Sequence, residues 1–115
     1  MAHDFDAVHA ELRRIMLATS KDFIVSRDEP GDLIVRTPTI DPGTKEQGWF
    51  GTVTKKKSYV AYHLIPLYAH PDLAAGISPA LAKRRQGKTC FNFKSVDPVL
   101  FAELDDLTRK SAARA

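Results

Sequence analysis

A single cysteine, Cys90, stands among 115 residues. One thiol excludes an internal disulfide and any zinc site built from several cysteines of one chain. It also suits a reducing compartment, so the expected location is the cytoplasm. No run approaches the roughly 20 consecutive apolar residues that a membrane-spanning helix needs. The opening Met1-Ala2-His3-Asp4-Phe5-Asp6 is acidic and has no apolar stretch behind it, so it does not read as a secretory leader. No His or Cys pair falls at a metal-ligand spacing: His3 and His9 differ in helical phase, and His70 introduces a Pro-led turn. Charge of one sign is also scarce. Seventeen Lys and Arg against fourteen Asp and Glu leave +3, which permits an anionic partner without requiring one.

What is present centres on Gly48–Tyr68, which holds the single Trp and all three Tyr. Residues 49–54 and 59–65 are rich in aromatic and β-branched types and flank a polar Lys55-Lys56-Lys57-Ser58 tip. A turn centred on Lys56-Lys57 pairs Val53 with Val60, Gly51 with Tyr62 and Trp49 with Leu64. That register puts Trp49 on an apolar face. It puts Phe50, Thr52, Tyr59 and His63 on a mixed, more open face.

Around this hairpin the chain predicts α-β-β-β-β-α-α-β-α. Residues 4–18 carry a helical stripe of Phe5, Val8, Leu12, Ile15 and Met16. Residues 22–27 and 32–37 read as strands joined by Asp28-Glu29-Pro30-Gly31, a strong turn signal. Residues 38–48 read as a mobile connecting loop and a candidate lid. Two short helices follow, over His70–Gly76 and Ser78–Gly87, with Ser78 as N-cap and Gly87 as the glycine at the exit. Residues 89–94 alternate as a fifth strand. Asp97-Pro98 opens a last helix to about Lys110, with 111–115 expected to fray. The expected fold is α+β: one domain over residues 1–115, a two-layer sandwich with a mostly antiparallel five-stranded sheet and helices on one face.

Trp49-Phe50-Gly51, Tyr59–Tyr68, Gly76–Leu81 and Gln86–Phe93 together resemble a YdhG-like bacterial family of unknown function. The likeness covers about residues 48–94 and continues loosely to Arg109. It implies an antiparallel sheet with helices on one side. Some proteins of that fold are described as frataxin-like iron chaperones, which implies an acidic first helix. Here that helix offers Asp4, Asp6 and Glu11 beside Arg13 and Arg14.

Four functional readings follow. The first is a non-enzymatic module that binds a small molecule or a protein on the open sheet face, through Phe50, Thr52, Tyr59, His63, Cys90 and Asn92. A homodimer covering that face with its own copy is a variant of it. The second is weak binding of nucleic acid or another anion through Lys83, Arg84, Arg85 and Lys88. The third is metal transfer of the frataxin-like kind. The fourth is an enzyme using Cys90 with His63, which would need a depressed thiol pKa and a hydrogen-bonded base for the thiol to act as a nucleophile. No cofactor and no catalytic residue is assigned. Gly87-Lys88-Thr89 follows a predicted helix and opens a strand, the reverse of a phosphate-binding loop, and Ala82 stands where that motif requires glycine.

Overall fold

The 3.6-residue stripe of the first helix decides which of its faces is buried. In the computed structural model, which describes residues 5–19, 23–40, 42, 43, 45, 47–87 and 89–114, helix α1 spans Phe5–Thr19. It sinks Val8, Leu12, Ile15 and Met16 into the core and leaves Asp6 and Arg14 in water. His9 joins the buried set because its ring Nε2, at 3.0 Å, donates to the Val53 carbonyl.

Five strands follow the expected types with shifted ends: β1 (Ile24–Glu29), β2 (Asp32–Ile40), β3 (Gln47–Lys55), β4 (Val60–Leu64) and β5 (Cys90–Phe93). They form one meander, β1-β2-β3-β4-β5, with every neighbouring pair antiparallel. Pro30-Gly31 turns β1 into β2, and Gly31 sits at φ +78, where a side chain would be strained. Its carbonyl accepts the Lys55 amide at 2.7 Å, tying that turn to the end of β3.

Between β4 and β5 lie a four-residue helix α2 (Pro66–Ala69), a 3-10 turn (Pro71–Ala74) and helix α3 (Pro79–Ala82). Helix α4 spans Pro98–Arg114. Ser78 caps α3 by accepting the Leu81 amide at 3.2 Å, and Asp97 caps α4 by accepting the Leu100 amide at 3.1 Å. Glu103 holds the two together, accepting from both the amide and the hydroxyl of Ser78 at 2.6 Å. The helices occupy one face of the sheet, and the core lies between the layers. It gathers α1 and α4 residues with Leu33, Val35, Val53, Tyr62, Phe91 and Phe93.

Four expectations give way here. Residues 38–40 and 47–48 belong to strands, so the predicted loop shrinks to 41–46, of which 41, 44 and 46 lie outside the described residues. The stretch after Ala82 is not helical. Instead, residues 84–86 run beside β5, with Arg85 opposite Phe91, and Gln86 and Asn92 donate to the Cys90 and Arg84 carbonyls at 2.7 and 2.8 Å. Gly87, at φ +84, turns this edge segment toward β5 rather than ending a helix. Finally, α4 does not fray from 111: Ser111 is fully buried and donates to the Leu107 carbonyl at 2.9 Å.

The Tyr62 phenol is buried under α4 and shares a 2.6 Å hydrogen bond with Thr108 Oγ1, which itself donates to the Leu104 carbonyl. Burial raises its pKa far above the ordinary 10.0; the Thr108 bond works against this and Asp105 adds to it. The phenol therefore ionises first in the unfolded chain. Its contribution to stability is complete below about pH 10 and shrinks as the pH climbs beyond that. Tyr62→Phe should cost about 1 kcal/mol at neutral pH. It should also flatten the alkaline loss of stability, read by urea denaturation at about pH 8 and pH 11.

Candidate functional site

Strand pairing defines the face opposite the helices row by row. One row joins Ile24, Arg36 and Trp49. The next joins Arg27, Ile34, Thr52, His63 and Cys90. A third joins Glu29, Asp32, Thr54, Ala61 and Asn92, and the edge segment extends it to Arg84. Apart from Ala61, a small side chain between Thr54 and Asn92, every one of these residues is half-buried or exposed.

The hairpin turn is centred on Lys57-Ser58, not Lys56-Lys57. Lys55 pairs with Val60 and Val53 with Tyr62, while the Lys56 amide donates to the Tyr59 carbonyl at 2.8 Å. The slip is two residues, so the two faces of β4 stay as expected and His63 remains on the open side. Along β3 the alternation breaks. Val35 pairs with Gly51 but Arg36 pairs with Trp49, leaving Phe50 as the extra residue of a β-bulge. Phe50 is therefore wholly buried, with the Phe23 ring edge-on at 4.8 Å. Trp49 turns out to the open face, 43% exposed, with the Arg36 guanidinium 4.6 Å from its ring centre. The expected positions of Phe50 and Trp49 are exchanged, and Phe50 leaves the candidate site.

Of the remaining sequence candidates, Thr52, His63 and Cys90 fall in one cross-strand row, and Asn92 lies next to them in the following row. Tyr59 lines a notch of about 180 Å³ with Lys83, Arg84, Gln86, Asn92 and Lys94. The basic cluster does not act as a unit. Lys83 and Arg84 join this notch, Arg85 is half-buried opposite Phe91, and Lys88 lies outside the described residues. Sequence reasoning missed Trp49, Arg36, Lys94 and Gln86. Only the bulge reveals the first two, and only the edge segment beside β5 reveals the others.

Electrostatics on this face favour neutral groups in the centre and cations around them. Partial burial lowers the His63 pKa below 6.5, and the Lys56 charge lowers it further. Its imidazole is neutral at neutral pH and offers a donor and an acceptor. Partial burial raises the Cys90 pKa above 9.0, more than Lys56 brings it down, and the thiol donates to Asn92 Oδ1 at 3.2 Å. A protonated thiol already engaged as a donor is a poor nucleophile. Among the described residues, no group of three His, Cys, Asp or Glu side chains is placed to hold a metal ion, and no helix is long and apolar enough to cross a membrane.

Comparison of the chain with protein-family models, with curated proteins and with solved structures returns no match.

Proposed function

We propose that this protein is a cytoplasmic, non-enzymatic binding module whose ligand seats on the open face of the sheet, across Trp49, Thr52, His63 and Asn92. The observation that carries this reading is the asymmetry of the two faces. One is sealed against helices by residues such as Leu33, Val53, Tyr62 and Phe91. The other presents an aromatic ring, a neutral imidazole, a hydroxyl and an amide in adjoining rows, a mixture suited to recognition. The raised thiol pKa of Cys90 and its bond to Asn92 speak against nucleophilic chemistry there. The proposed kinship with the YdhG-like family rests on the same strands, β3 to β5.

Trp49 is the one tryptophan of the chain and lies on this face, so its emission reports occupancy directly. A screen of small metabolites and peptides should yield ligands that change Trp49 emission. Thr52→Glu, which fills the centre of the face with a bulkier, anionic side chain, should weaken those ligands at least about tenfold while leaving the melting temperature within a few degrees. Ligands that bind Thr52→Glu as tightly as the parent chain would place recognition elsewhere. Emission that shifts blue with protein concentration alone would identify a second copy as the occupant.

A further inference from the structure

Charge on the open face is distributed unevenly. Its two carboxylates, Glu29 and Asp32, lie on β1 and β2, and Asp32 is held by Arg27 at 3.0 Å. Asp97, the N-cap of α4, lines a pocket beside Arg84 and Lys94; from β3 to the edge segment the described residues of the sheet itself include no carboxylate. Cations here include Lys56, Lys83, Arg84 and Lys94, with Arg36 bordering at Trp49. The acidic residues of α4, among them Glu103, Asp105 and Asp106, belong to the helix layer. Two aromatic rings mark the ends of this cationic half: Trp49 in the first row and Tyr59 one step past the third. Three rows at two residues each set them roughly 20 Å apart along the strands.

Size separates the classes of ligand. The notch at Tyr59 holds about 180 Å³. Pockets that enclose a small molecule hold about 300–1,000 Å³. A shallow face with a ring at each end, cations gathered at the Tyr59 end, Arg36 at the other and neutral polar groups between them fits an extended polyanion that carries stackable groups.

Resting on the binding-module reading above, we infer that the open face from β3 to the edge segment 84–86 binds single-stranded nucleic acid, with bases stacking on Trp49 and Tyr59 and phosphates held by Lys83, Arg84 and Lys94. Stacking on exposed aromatics with cations along the backbone is the physical basis of sequence-tolerant strand binding. Duplex buries its base faces and offers nothing for Trp49 to stack on. The half-buried Asn92 amide and the exposed Gln86 amide, which line the notch, can hydrogen-bond a splayed base edge.

The test uses the full chain, a short oligothymidylate and a duplex of the same length. Thymidylate quenches Trp49 emission, and log affinity falls linearly with log salt between about 50 and 200 mM. Binding by Trp49→Ala is read by anisotropy of a labelled strand and falls about tenfold, and Trp49→Phe restores most of it. Arg84→Ala with Lys94→Ala reduces the salt slope by about 1.4, the share of two phosphates. Circular dichroism melts confirm that each variant is folded. No binding at low salt overturns the inference, as does duplex binding equal to that of the strand, or binding untouched by both sets of substitutions. Failure here leaves the wider reading intact if other ligands of Trp49 remain sensitive to Thr52→Glu; loss of both results removes the site altogether.

Discussion

Phe50→Ala lowers stability by about 3–5 kcal/mol, whereas Trp49→Ala costs about 1 kcal/mol or less. Adjacent residues of a strand point to opposite sides, and the bulge at Phe50 decides which of these two aromatics faces the core. Phe50 is wholly buried and makes an edge contact with Phe23, so truncating it opens a cavity in the core. Trp49 loses chiefly its contact with Arg36, at a site already 43% exposed. Urea denaturation followed by far-ultraviolet circular dichroism reads both variants without using the tryptophan. A larger cost for Trp49 would mean that β3 alternates without interruption, and the open face would then carry Phe50 in place of Trp49.

The second large effect is at Gly51. A Cβ atom built there lies 2.6 Å from the His63 carbonyl oxygen and collides with the Met16 side chain of α1. The side chain can swing aside; the carbonyl belongs to the neighbouring strand and can move only if the ladder opens. Gly51→Val should therefore cost about 3 kcal/mol or more, and Gly51→Ala less, within the 1–3 kcal/mol usual for overpacking. Adding Met16→Ala to Gly51→Ala should rescue little, because the backbone obstacle persists. Full rescue in thermal melts would show that the methionine alone sets the limit. The glycine thus fixes how closely α1 approaches the sheet, and the same displacement would disturb His63 on the far side.

The sequence signals that proved reliable are those with a local physical cause. Pro30-Gly31, Ser78-Pro79 and Asp97-Pro98 fix dihedral angles or satisfy free amides within a few residues, and each marks the turn or helix start expected of it. The five strands and the helix layer follow from such boundaries together with hydrophobic periodicity. The exchange of Trp49 and Phe50 had no such marker. Either ring suits a half-buried strand, and only the pairing partner on β2 decides which of them is the extra residue. The hairpin register slipped by two because no glycine anchors the Lys-rich tip; the even slip kept His63 and Thr52 on their face. Residues 84–86 read as the cationic end of a helix because Arg-Arg-Gln carries no alternation. Their pairing with β5 uses backbone groups, which leave no trace in side-chain pattern. Half of the notch was consequently invisible, although its residue types were plain.

The two margins of the sheet are finished differently. Along the outer side of β5, the segment 84–86 already occupies the pairing groups that a newcomer would need. Along β1, the register shifts between Val25 and Arg27, and Arg27, Asp28 and Glu29 stand in water. An irregular, charged border is a poor template for another strand. Fibril growth and strand donation are both discouraged, which leaves the flat of the sheet, not its rim, as the surface open to the proposed ligand.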